Sequence, residues 1–322
     1  MTHAFDVLCI GRVSIDIYPL QIGVGLDVVE SFGKFLGGSA TNVAVAASRL
    51  GDHTALMTRT GDDPFGRFVR TELSRFAVDP RYVRSVEGMQ TPVTFCEVFP
   101  PDNFPLYFYQ SEDVPYFQIR ADELDLDAIA SAGVYWSTAT GLAEEPSREA
   151  HHAAWRARGR VKNTVLDLDY RDRFWRSDFE ARREIARALP RVTVAVGNTA
   201  ECALATGQTN PVAAARALLD LGVELAVVKQ GPLGALAMTQ HESVMVPAIA
   251  IKTVNGLGAG DAFGGAICHG LMQQWSLERT LRFASAAGAL VAARLECANA
   301  MPTVAEVERT VASGGVAEGE VG

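Results

Sequence analysis

The sequence predicts an α/β fold, a mostly parallel central sheet covered by helices on both faces, with a small β-sheet lid. Three observations carry this expectation. Short apolar, β-rich runs alternate with longer Ala/Leu/Arg-rich segments; two stretches rich in Phe, Tyr and Pro interrupt that rhythm; and glycines crowd at GGSATN (37–42) and at NGLGAGDAFGG (255–265).

The alternation starts with DVLCIG followed by NVAVAASRLG. It continues with TVLDLD and then EARREIARAL, VTVAVGN and then AECALATG, and LAVVK with, later, AFGGAICHGLMQQW. Strand-helix alternation of this kind places helices on both faces of a parallel sheet. Residues 12–36 and 91–117 look like strands with no helix between them, and loops of that length are uncommon in compact domains. They are expected to form the lid, because the first excursion runs into GGSATN. The Gly/Val/Glu tail, residues 314–322, is expected to be flexible.

The chain has 322 residues, 48% of them hydrophobic, enough for a sizeable core, and a formal net charge of −9. Such a balance argues against a nucleic-acid partner, which needs a basic patch. The cysteines, Cys9, Cys96, Cys202, Cys268 and Cys297, form no CxxC pair, so neither a zinc site nor a disulfide framework is suggested. No apolar run approaches the roughly 20 residues of a membrane span, and the first residues lack a basic region followed by an apolar stretch. The expectation is a soluble, cytoplasmic protein with no membrane partner.

The glycine cluster at 256–265 points to chemistry. An apolar run precedes it and a helix is predicted after it, so Gly258, Ala259 and Gly260 fall at a helix N-terminus, where free N–H groups and the helix dipole attract anions. Asp261 beside a bound phosphate is repelled by it unless its task is to take the proton of an attacking hydroxyl. The bland alternative is a helix cap with glycines for tight packing. Neither GxxxxGK[ST] nor GxGxxG describes the spacing.

GLGAGDAF resembles the C-terminal signature of the ribokinase-like, or PfkB, carbohydrate kinases, whose usual form is D-T-x-G-A-G-D. Gly37, Gly38 and Asn42 match the family's Gly-Gly-x-x-x-Asn, and Asp16 matches its substrate-binding Asp. DLDYR (Asp167, Asp169, Arg171), NTAE (Asn198, Glu201) and KQGPLG (Lys229, Gly231, Gly234) follow in the family's order, so the resemblance covers nearly the whole chain. It implies one ribokinase-like kinase domain over residues 1–313, ATP and Mg²⁺ as cofactors, and a small-molecule substrate held by Asp16, Gly37, Gly38, Asn42 and Arg171. Asp261 is the implied catalytic base, with Gly258, Ala259 and Gly260 around the transferring group. Asn198, Lys229, Gly231, Gly234, Gly258 and Gly260 are implied at the nucleotide, and Glu201 at Mg²⁺ through water. The resemblance also implies a homodimer formed through the lid.

Each of these residues has a plainer reading beside the functional one. Asp16 and Asn42 read as residues on loops at strand ends, able to bond a polyol or to cap turns. Asn198 and Glu201 have the spacing of a capping box, Gly231 and Gly234 suit a hairpin turn, and Arg171 suits a salt bridge. Asn255-Gly256 replaces the usual Asp-Thr, so the monovalent-cation site of many members is not carried over. That departure, the N-terminal run, PPDNFPLYFY and DLDYR with Trp175 are similar to the branch that phosphorylates a sugar acid in inositol catabolism. Its substrate carboxylate needs a cation, for which Arg12, Lys34 and Arg171 are available and Arg171 is preferred. Another acid-sugar kinase, a nucleoside kinase and a catalytically silent sugar-acid sensor are the competing readings.

Overall fold

The computed structural model describes residues 3–111 and 113–316; part of the expected tail, 317–322, and Glu112 in the second excursion lie outside the described residues. In chain order the strands are β1 (Val7–Ile10), β2 (Ser14–Pro19), β3 (Phe32–Gly37), β4 (Thr54–Gly61), β5 (Val78–Asp79), β6 (Val83–Val86) and β7 (Val93–Cys96). They continue with β8 (Leu106–Tyr109), β9 (Val134–Thr138), β10 (Thr164–Asp167), β11 (Val194–Asn198), β12 (Leu225–Lys229), β13 (Ala235–Met238) and β14 (Ser243–Val246).

Ten strands form one sheet in the order β14-β13-β12-β11-β10-β9-β1-β4-β5, with β6 beside β4. Its pairs from β12 through β4, β5 and β6 are parallel; only β13 and β14 join antiparallel. Alternate side chains on each strand enter different cores, as the period-2 pleat requires. Val7 and Cys9 join the cluster under the helices Ser39–Arg49, Ala259–Met272 and Leu277–Ala292, while Leu8 and Ile10 join the cluster under Ser147–Arg158, Asp178–Ala188 and Pro211–Asp220. The result is a three-layer α/β sandwich.

A second sheet, ordered β3-β2-β7-β8, is built from the two excursions. Its inner side has a small core of its own: Tyr18, Phe35, Cys96, Val98 and Cys297. β2 follows β1 after three residues, and the Ser39–Arg49 helix begins two residues after β3 ends, so the lid is rooted where the first strand meets the first helix. No helix among the described residues is long and apolar enough to cross a membrane.

The glycine cluster divides between two jobs. A Cβ on Gly264 would lie 2.8 Å from the Trp136 ring, and one on Gly265 would overlap Ala46 and approach the Ala47 nitrogen to 2.9 Å. These two let the Ala259–Met272 helix press on β9 and on the Ser39–Arg49 helix. Overpacking such a contact costs about 1–3 kcal/mol. Gly265→Ala is therefore expected to lower the free energy of unfolding by that amount, measured by urea denaturation, with the slope of the transition unchanged.

Candidate active site

Several of the candidate residues gather at the carboxyl ends of the parallel strands. Asp167 is the last residue of β10, Asn198 of β11 and Lys229 of β12, with Asn198 and Lys229 opposite each other in register. Strand order reverses between β9 and β1, and open α/β sheets bind ligands outside such a switch point.

Across that edge stands the N-terminus of the Ala259–Met272 helix. Gly258, its cap, has φ +80°, a left-handed conformation that glycine adopts freely, and a Cβ there would lie 2.8 Å from the Cys297 sulfur. No side chain among the described residues caps this helix, so its first N–H groups are left for a ligand. A Cβ on Gly260 would point at the Lys229 amine, 3.3 Å away. The free donors, the bare glycines and the ammonium together make a cradle for an anion.

Asp261 lies in the first turn of that helix and accepts a hydrogen bond of 2.8 Å from Asn42 Nδ2. Burial pushes its carboxyl up to about 6, and Asp169 adds to the rise, while Asn42, Lys229 and Arg171 oppose it. A carboxylate held there is mostly ionised at neutral pH yet basic enough to accept a proton. Lys229 is surrounded by Asp167, Glu201, Asp261 and Asp169, which raise its pKa although burial acts the other way, so it stays charged. Asp167 moves upward through burial; Lys229 counters that, and the neighbouring acids reinforce it. Asp169 is held low despite burial by Arg171, Arg12 and the Thr140 hydroxyl, and Arg171 Nη2 lies 3.1 Å from its carboxylate.

A second group sits at the lid root. The buried carboxylate of Asp16 accepts from Ser14 Oγ at 2.6 Å and Tyr18 Oη at 3.2 Å. A Cβ on Gly37 would overlap that carboxylate, and one on Gly38, at φ +102°, would lie 2.5 Å from the Arg12 carbonyl. The Gly-Gly pair thus admits the acid of β2 and turns the chain into the helix that carries Asn42. Tyr18 Oη also lies 2.6 Å from Cys297 Sγ, linking the lid strand to the sulfur packed on Gly258.

Several expectations change. Asp16 lies inside β2 and Asn42 in the first turn of a helix, rather than on loops: β2 extends through Asp16 because β3 and β7 pair with it on both sides. Lys34 is not at the site. It pairs opposite Ile17, on the side of β3 away from Asp16 and Phe35, and its amine rests 3.9 Å from the Phe68 ring centroid. Asn198 and Glu201 do form the capping box, Asn198 Oδ1 accepting from Glu201 N at 2.9 Å and Glu201 Oε2 from Asn198 N at 2.7 Å. Glu201 Oε1 makes no hydrogen bond among the described residues and remains available to a water. Gly231 and Gly234 shape the turn from β12 to β13, with φ of +56° and +97°. Arg171 does form a salt bridge, with the buried carboxylate of Asp169, while its own side chain is 37% exposed. Sequence reasoning gave Asn255 no structural task; it is fully buried, donates to Leu295 O at 2.6 Å and accepts from Leu257 N at 3.0 Å. Its departure from Asp-Thr was the available signal.

The sequence pattern of the pfkB family carbohydrate kinases matches residues 4–304. The chain belongs to this family. It is 31% identical over 314 residues to the 5-dehydro-2-deoxygluconokinase of Clostridium tetani, covering 95% of this chain and 92% of that one. A candidate ribokinase II from E. coli, crystallised with ATP and Mg²⁺, superposes with a TM-score of 0.86 at 21% identity, covering 96% of this chain and 99% of that one. An uncharacterized sugar kinase from Pyrococcus horikoshii in complex with ATP gives 0.80 at 25% identity, covering 95% and 99%. As a PfkB carbohydrate kinase, the protein is a phosphotransferase acting on a sugar hydroxyl.

Proposed function

We propose that the protein transfers the γ-phosphoryl group of ATP to the 6-hydroxyl of 5-dehydro-2-deoxy-D-gluconate, a step of myo-inositol catabolism. The observation that carries the phosphotransfer reading is the uncapped N-terminus of the Ala259–Met272 helix with Asp261 in its first turn. The substrate reading rests on the kinship with the clostridial enzyme.

Asp16, Gly37, Gly38 and Asn42 hold the sugar, and Asn42 also orients the Asp261 carboxylate. Asp261 takes the proton of the attacking hydroxyl, whose oxygen forms the new bond to phosphorus as the bond from phosphorus to the ADP oxygen breaks. The amides of Gly258, Ala259 and Gly260, with Lys229, stabilise charge on the moving group. Asn198 and the turn with Gly231 and Gly234 border the nucleotide. Asp167, Asp169, Glu201 and Asp261 act together on Lys229, oxygen donors of the kind Mg²⁺ takes. In this reading the ion is bound through water and phosphate, with Glu201 holding such a water. When bound, Mg²⁺ neutralises phosphate charge.

The outer side of the lid bears an edge-to-face aromatic row, Phe32 on Phe95 at 5.7 Å and Phe95 on Tyr109 at 5.2 Å, with Tyr109 65% exposed. We propose that a second copy covers it.

Asp261→Asn is expected to lower kcat by about 10² or more, as for loss of a positioned base, without lowering Tm, because it removes a buried charge. Coupled ADP release against 5-dehydro-2-deoxygluconate, 2-dehydro-3-deoxygluconate, ribose, fructose and adenosine is the check. Preference for another compound would discard the substrate, and near-normal turnover by the variant would discard the base. For the lid, light scattering is expected to give a dimer mass for the wild type and a monomer mass for Tyr109→Lys; a monomeric wild type would refute the contact.

A further inference from the structure

Three arginines are buried among the described residues: Arg12, Arg59 and Arg158, at 8%, 5% and 3% exposure. Two of them are bonded as a buried guanidinium must be. Arg158 donates to Thr164 Oγ1 and to the carbonyls of Ile129, Ala132 and Lys162, and Arg59 pairs with Glu123. Arg12 differs. No side-chain hydrogen bond and no ion pair within 4.0 Å is formed by its guanidinium among the described residues, and its Nε is wholly enclosed without a partner.

The surroundings of Arg12 are built. Its backbone is fixed beneath Gly38, with its carbonyl accepting from Thr41 Oγ1 at 3.0 Å. The guanidinium carbon lies 5.8 Å from the Phe108 ring centroid and 6.0 Å from that of Phe174, so the lid strand β8 and the segment after Arg171 both flank it. Its charge acts on Asp16, the proposed sugar ligand, and on Asp169, the partner of Arg171. Arg171 likewise has an enclosed Nε with no partner. Two forked cations with unsatisfied donors therefore border the sugar side of the cleft, each within electrostatic reach of the same acid. A guanidinium fork matches a carboxylate in a way a hydroxyl cannot.

We propose that Arg12, with Arg171 beside it, receives the carboxylate of the sugar acid, and that Arg12 is the residue that separates acid from neutral sugars. This assignment rests on the sugar-acid kinase reading. It places the specificity cation at the lid root, next to Asp16, where the chain leaves β1. It also corrects the preference for Arg171 alone, because Arg171 already has an acid partner and Arg12 has none among the described residues.

The test compares wild type, Arg12→Gln and Arg12→Lys on 5-dehydro-2-deoxygluconate, 2-dehydro-3-deoxygluconate and fructose, with Tm of each protein alone and with each sugar. Arg12→Gln is expected to lower the ratio of kcat/KM for the preferred acid over fructose by about 10²-fold, mostly through KM, as for loss of a hydrogen-bonded charge pair. Arg12→Lys, charged but without the fork, is expected to fall between. The rise in Tm that the acid gives the wild type should vanish in Arg12→Gln, while any rise given by fructose should remain. Equal losses on acid and fructose would make Arg12 structural and overturn the assignment. A wild type that prefers an acid and a variant that keeps the preference would overturn Arg12 alone. A wild type that prefers fructose would overturn the sugar-acid reading and this assignment with it.

Discussion

The burial of one ammonium, Lys229, among Asp167, Asp169, Glu201 and Asp261 is the constraint on which the site depends. A lone charge in a protein interior is costly, and so is a lone carboxylate; each is held here by the others. Parallel strands deliver β10, β11 and β12 to one edge, which brings Asp167 and Lys229 together. The helix from Ala259 then sets its bare N-terminus against them. The outcome is a carboxylate at Asp261 kept less acidic than usual beside donors that await an anion, which is the arrangement that phosphoryl transfer to a hydroxyl requires.

The lid is tied into the same arrangement. Gly37 makes room for the Asp16 carboxylate, Gly38 turns the chain into the helix bearing Asn42, and Asn42 reaches Asp261. Through Tyr18 and Cys297 the lid strand also touches the sulfur packed on Gly258. The residues proposed to hold the sugar and those proposed to hold the phosphate are thus joined by two short physical links rather than by sequence proximity.

The central sheet was legible because its strands are buried on both faces and read as short apolar runs, and the site motifs were legible because glycine is tolerated at so few places without cause. The glycine cluster itself needed the structure to be divided: Gly260 leaves room beside Lys229 at the anion cradle and Gly258 takes a left-handed turn against Cys297, whereas Gly264 and Gly265 serve helix packing against Trp136 and Ala46. Local pattern could not give the side of a strand that a residue faces once register with distant strands decides it. That is why Lys34 looked available and is not, and why Asp16 proved to be inside a strand. The unpaired state of Arg12 was beyond the sequence altogether, since it depends on the folded chain bringing Asp16 and Asp169 near it but not to ion-pair distance.

The account centres on Asp261 as the base, and the pH dependence of kcat/KM for the sugar at saturating MgATP tests it most directly. Only the ionised carboxylate accepts a proton, so activity should rise with pH through an ionisation near the value of about 6 to which burial lifts Asp261. A profile that is flat, or that falls, between about pH 5 and 8 would contradict the account.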